Sequence, residues 1–127
     1  MEKTASNTYF QIYRTGHRKD DTEQTRWRFL YLGNIIATGG EPFVRYEARY
    51  SVERIQNNFK DGGGYVFEIE ESKNGKYYWT LNSKNGRIVA ISSDFYKTKT
   101  ACQENAKIFK KNAVIAPVRM KRLNACD

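Results

Sequence analysis

Trp79-Thr80-Leu81-Asn82-Ser83-Lys84-Asn85-Gly86-Arg87-Ile88-Val89-Ala90-Ile91 decides the fold. An aromatic and aliphatic run, an Asn-Gly pair and a second apolar run read as strand, turn and strand, because Asn-Gly is a strong hairpin signal. The same order stands earlier in the chain, where Trp27-Arg28-Phe29 precedes Gly33-Asn34-Ile35-Ile36-Ala37, the counterpart of Gly86-Arg87-Ile88-Val89-Ala90. Further out, Tyr9-Phe10-Gln11-Ile12 resembles Val66-Phe67-Glu68-Ile69. Ala48, Val52, Ile55 and Asn58 match Cys102, Ala106, Phe109 and Asn112. The offset between the halves moves from 57 to 52, then 53, then 54, and each step falls between elements. Insertions in the loops of a duplicated unit look like this.

Each half reads alike. Phe10 and Ile12, like Phe67 and Ile69, alternate with polar residues, the period of a half-buried strand. Ser72-Lys73-Asn74-Gly75-Lys76 turns the first hairpin of the second half, whereas the first half has a longer charged connection, His17 to Thr25. Ala48, Val52, Ile55 and Phe59 recur at helical spacing, as do Cys102, Ala106, Phe109 and Ala113. The apolar helix positions are expected to pack on Ile12, Ile69, Ile36 and Val89. Thr98 or Thr100 can cap the second helix, Thr100 with capping-box spacing to Gln103. Val114-Ile115-Ala116-Pro117-Val118 reads as a final short strand at a sheet edge. The sequence thus predicts one α+β domain over 1–127. Repeat one spans about 8–60, a Gly-rich linker 61–64 and repeat two about 65–119. Two tandem β-β-β-α units related by a pseudo-twofold axis would join their strands in one antiparallel sheet, with the helices packed on it.

The second half resembles the YegP-like family of small bacterial and archaeal proteins, a family of unknown function. The resemblance is carried by Asn85-Gly86-Arg87-Ile88-Val89-Ala90, Tyr96-Lys97-Thr98-Lys99, Cys102 and Lys110-Lys111-Asn112-Ala113. It extends more weakly over the first half. It implies two β-β-β-α repeats sharing one sheet, with C-terminal strands exchanged between them, and it brings no activity. The chain departs from the pattern at Asn105, where the family has a small residue. It departs again at Phe43-Val44-Arg45, in place of a Tyr-x-Ser/Thr-Lys signature, and in lacking a strand after the first helix.

Composition sets the function classes. Aromatics make up 14% of 127 residues, which argues for a packed core over disorder. The apolar runs are far too short to span a bilayer, and Met1 to Ser6 lacks the apolar stretch of a signal peptide. A cytoplasmic setting is therefore expected, with Cys102 and Cys126 as free thiols. The single histidine, His17, has no ligand pattern beside it and reads as an exposed loop residue. Gly39-Gly40 and Gly62-Gly63-Gly64 lack the spacing of a phosphate loop and read as turn and linker. Glu68 and Glu70 read as solvated charge on one strand face. No enzyme, cofactor, metal or small-molecule substrate is indicated.

What stands out is the formal charge of +8. Lys99, Lys107, Lys110 and Lys111 flank the apolar stripe of the second helix, and Arg119, Lys121 and Arg122 follow it. Arg26 and Arg28 surround Trp27, and Tyr77-Tyr78 precede Trp79. Basic residues interleaved with aromatics hold nucleic acid through phosphate contacts and base stacking, although the matched positions of Trp27 and Trp79 point to core roles for those two. The expectation is a non-enzymatic module for an anionic partner, nucleic acid foremost. Its alternative is a protein-interaction or self-assembling module, meeting an acidic protein or its own copy through a sheet edge or the helices.

Overall fold

The computed structural model describes residues 7–14, 24–40, 43–44 and 47–121. Its elements are β1 (Tyr9–Arg14), β2 (Gln24–Tyr31), β3 (Asn34–Gly39), β4 (Phe43–Val44), α1 (Glu47–Asp61), β5 (Val66–Glu71), β6 (Tyr77–Asn82), β7 (Ile88–Ser92), α2 (Lys99–Ala113) and β8 (Val118–Met120). The expected α+β class is the one observed. A single sheet runs β5-β6-β7-β3-β2-β1-β8, with β4 beside the start of β2. Alternation places Phe10, Ile12, Trp27, Phe29, Trp79 and Leu81 on one face, where they meet Val52 and Ile55 of α1 and Cys102, Ala106 and Phe109 of α2 in one core. Phe59, Ile69 and Val89 are partly buried against it, and Ile36 is buried.

The register repeats between the halves. Phe29 pairs with Ala37 and Leu30 with Ile35, so Ile36 is the extra residue of a bulge. Leu81 pairs with Ala90 and Asn82 with Ile88, which makes Val89 the extra residue at the corresponding place. A bulge sets two residues against one, and here Ile36 and Ala37 are both buried in succession. At the seam, β3 and β7 pair Ala37 with Ser92, Thr38 with Ile91 and Gly39 with Ala90. The two tryptophans also act alike. Trp27 Nε1 donates to Ser51 Oγ on α1 at 3.1 Å, and Trp79 Nε1 donates to Asn105 Oδ1 on α2 at 2.8 Å. Asn105 thus supplies the acceptor that a buried indole N–H requires.

Several details correct the sequence reading. The sheet is mixed, not wholly antiparallel, because β8 lies parallel to β1. That strand begins at Val118 and not at Val114. The helix runs to Ala113 and Val114 keeps helical angles, φ −56° and ψ −39°, which leaves Ile115 in a turn and Pro117 as the approach to the sheet. Its addition to β1 carries the end of the second half onto the first, the exchange that the family resemblance implies. No such strand follows α1, whose last residue is Asp61, and the chain passes through Gly62 to Tyr65 into β5. The cap of α2 is Thr98, extended at φ −129°, which accepts from Ala101 N at 3.0 Å; Thr100 lies inside the helix. Gly39 closes β3 and is not a turn residue. A Cβ there would stand 2.7 Å from Trp27 Nε1, so the indole packs against bare backbone. Gln24 and Thr25 belong to β2 and not to the preceding loop; His17 lies outside the described residues, as does Cys126.

The halves are also tied by groups without counterparts. Gln56 Nε2 on α1 donates to the carbonyls of Ala113 and Ala116, each at 2.9 Å, so one helix closes the C-terminal end of the other. Phe109 stacks on Trp79 at 5.2 Å and meets Phe29 edge-on at 5.2 Å, spanning the strands of both halves.

Candidate functional site

With both helices on one face, no helix among the described residues covers the other side of the sheet. Pairing aligns one residue from each of seven strands there, Arg119, Gln11, Arg28, Thr38, Ile91, Thr80 and Glu68, of which Thr80 is buried. The row is basic at the β8-β1-β2 end and acidic at β5. Period-2 alternation places it, since burying Phe10 and Ile12 turns Tyr9, Gln11 and Tyr13 outward. Arg28 Nε donates to Gln11 Oε1 at 2.8 Å, and its guanidinium sits 4.6 Å from the centre of the Tyr13 ring. The Arg119 guanidinium sits 4.5 Å over Tyr9. Arg26 faces Tyr13 across the strands. Both half-buried tyrosines thus carry an arginine over their rings, cationic and aromatic surface combined. At the other end Tyr78 meets the exposed Phe95 ring edge-on at 5.5 Å, beside Glu70 across the strands.

The sequence-predicted set divides. Arg119 joins Arg28 in the open row, and Lys121 is exposed just beyond, its N–H bonded to Ile12 O at 2.8 Å. Lys99, Lys107, Lys110 and Lys111 are exposed on α2, in the helical layer on the far side of the sheet. Lys107 lies 3.6 Å from Glu104, and Lys110 Nζ lies 5.9 Å over the Phe59 ring. Arg122 is outside the described residues. Trp27 and Trp79 are fully buried. The sequence reading missed Tyr9 and Tyr13 as partners of the basic residues. Their signal was the alternation already used for Phe10 and Ile12, but the pairing with Arg119 depends on β8, which no local pattern reveals.

Candidate nucleophiles and acids are placed differently. Cys102 is a buried free thiol, and burial pushes its pKa up. Glu68 is exposed and Glu70 half-buried on the open face. Among the described residues no group of three or more His, Cys, Asp or Glu is placed to hold a metal ion, and no helix is long and apolar enough to cross a membrane.

Residues 72–119 match the model of a domain of unknown function, DUF1508. That segment contains the residues on which the YegP-like resemblance rests, and the resemblance is borne out. Two solution NMR structures share the fold. A UPF0339 protein from Shewanella oneidensis is 19% identical with a TM-score of 0.67, over 90% of this chain and 91% of that one. The protein of unknown function yegP from E. coli is 20% identical with a TM-score of 0.67, over 94% of this chain and 97% of its own. No curated protein sequence matches the chain. Neither the matched domain nor either structure is described with a catalytic activity.

Proposed function

We propose that this YegP-like fold serves as a non-enzymatic binding module for an anionic partner, with single-stranded nucleic acid the leading candidate. The observation that carries the reading is the basic end of the open sheet face, where Arg28 and Arg119 sit over the rings of Tyr13 and Tyr9 with Arg26 alongside. A guanidinium held against a ring keeps its outer plane for a base and its N–H groups for phosphate. The helix lysines add to the positive field without contacting the same segment, because the sheet separates them from the row. We take the setting to be the cytoplasm, in keeping with a free buried thiol. The non-enzymatic reading is supported by a cysteine held in its unreactive thiol form. The same reading treats the halves as tandem repeats about a pseudo-twofold axis through the Thr38–Ile91 pair. Under an offset of 53 the Ala37–Ser92 and Gly39–Ala90 pairs exchange, and Thr38–Ile91 maps onto itself.

The test is fluorescence anisotropy with labelled single-stranded and duplex oligonucleotides of mixed sequence, from low to physiological salt. Binding should favour the single strand, show little sequence preference and weaken steeply with salt. Each phosphate contact removed should lower the log–log salt slope by about 0.7 for a single strand. Arg28→Gln with Arg119→Gln should lose more affinity than Lys107, Lys110 and Lys111 changed together to Ala. Absence of binding at low salt overturns the reading. A second reading, association through a sheet edge, is favoured by β5, which has no strand on its outer side among the described residues and leaves Val66 58% exposed. The charged Glu68 and Glu71 blunt that edge. A mass above the monomer that falls after Val66→Lys would bring this reading forward.

A further inference from the structure

The first strand of each half stands near an edge of the sheet, and the two edges differ. Beside β1 lies β8 in parallel register, with Phe10 opposite Val118, Gln11 opposite Arg119 and Ile12 opposite Met120. Phe10 N donates to Pro117 O at 2.9 Å, and Ile12 O accepts from Lys121 N at 2.8 Å. The counterpart of β1 is β5, where the offset of 57 matches Phe10, Gln11 and Ile12 with Phe67, Glu68 and Ile69. No strand lies on the outer side of β5 among the described residues. The chain is described without a break from Glu47 to Lys121, which includes both ends of β5 and the turns beside them. Phe10 and Ile12 are 0% and 1% exposed, whereas Phe67 and Ile69 are only partly buried.

The backbone of β5 is set for the same bonds. Successive residues of an antiparallel strand turn their N–H and C=O to opposite sides, and across the turn Ser72 N donates to Lys76 O at 2.7 Å. Counting back in twos, Glu70, Glu68 and Val66 turn theirs towards β6, while Glu71, Ile69 and Phe67 turn theirs outward. The outward groups include the Phe67 N–H and the Ile69 C=O, equivalents of those that hold β8 on β1. The side chains differ in charge. Where β1 sets Gln11 against Arg119, β5 presents the exposed Glu68, with Glu70 on the same face. A second copy of β5 fits poorly. Antiparallel pairing centred on Glu68 sets it against its own copy, and like charges directly opposite are destabilising.

We propose that the outer edge of β5 takes up an extended segment of another protein, running parallel to β5 as β8 runs to β1. The segment sets apolar residues opposite Phe67 and Ile69, and lysine or arginine opposite Glu68 and Glu70. Main-chain bonds supply the affinity, and the alternating side chains select the partner. The inference does not rest on the nucleic-acid reading, whose arginines stand at the other end of the sheet. It gives the sheet-edge reading a partner of opposite charge in place of a second copy.

The probe is a capped peptide with the sequence of residues 116–121, Ala-Pro-Val-Arg-Met-Lys, titrated into the isotope-labelled full chain. Amide shifts are expected along Val66–Glu71, with slowed hydrogen exchange at the Phe67 and Ile69 N–H groups. A peptide carrying Arg119→Glu and Lys121→Glu should bind about tenfold more weakly, and Glu68→Gln with Glu70→Gln in the protein should weaken the parent peptide by a similar factor. Glu68 is exposed, so Glu68→Gln alone keeps the fold and gives part of this loss. A nitroxide on the N-terminus of the peptide should broaden Val66 more than Glu71, the mark of the parallel direction. No shifts in β5 at millimolar peptide would overturn the proposal. So would equal binding of the charge-reversed peptide, shifts confined to β1, or broadening centred on Glu71. A mass above the monomer that the peptide leaves unchanged, with β5 unresponsive, would instead give the edge to a second copy and overturn it too.

Discussion

Tyr96 shows how a single side chain records its surroundings. Its backbone N–H and C=O both bond Tyr77, at 2.7 and 2.8 Å, which docks the segment before α2 onto the sheet. Its phenol is pushed up to about 12, first by burial, then by the Asp94 carboxylate and by Cys102. The fold therefore favours the neutral phenol. An unfolded tyrosine ionises near its ordinary value of 10, so the stabilisation is whole below that pH and is lost as pH rises towards about 12. Denaturation midpoints measured across this window should fall more for the wild type than for Tyr96→Phe, and parallel profiles would disprove the assignment. At this scale the sequence was uneven. Trp27 and Trp79 were legible as core because they occupy matching positions, whereas the outward tyrosines were legible only in alternation. Leu32, whose φ of +51° is one that a branched apolar residue seldom adopts, carried no warning at all.

Among the elements, those with a period were readable. Both helices, the paired strands of each half and the Asn-Gly turns follow from spacing and turn chemistry, because local sterics govern them. What escaped depends on contacts distant in sequence. Val114 to Pro117 is apolar without a period, and whether it extends α2 or enters the sheet is decided by β1. The short β4 exists through its pairing with Gln24 and Thr25. The closure of α2 by Gln56 belongs here too, since nothing in the α1 pattern marks Gln56 as more than a flanking polar residue. Replacing it by Met keeps the length and removes both donated bonds. The carbonyl of Ala116 then loses the Gln56 donor and that of Ala113 keeps only the longer bond from Ala116 N at 3.4 Å, and chemical denaturation should show a loss of about 1–3 kcal/mol. An unchanged midpoint would mean that water takes over both bonds.

For the whole molecule, the joining of the halves matters more than either half. Phe109 meets six other rings, drawn from β1, β2, β5, β6 and α1, while its counterpart Ile55 is aliphatic. Phe109→Ala should cost about 3–5 kcal/mol, the usual range for emptying an aromatic core site. With Trp27 or Trp79 kept as the single reporter, both halves should lose stability together; a shift seen by one reporter alone would show that the core is divided. The net charge of +8 was plain in the sequence, but its division between a helical layer and an open row was not, because that follows from which face the helices cover. Finally, β1 and β8 run side by side in the same direction, held by Phe10 N to Pro117 O at 2.9 Å and Lys121 N to Ile12 O at 2.8 Å. A pull applied between Tyr9 and Met120 shears this ladder lengthwise, so its bonds bear the load together instead of unzipping in turn. The strand that links the halves is thereby also a mechanical clamp.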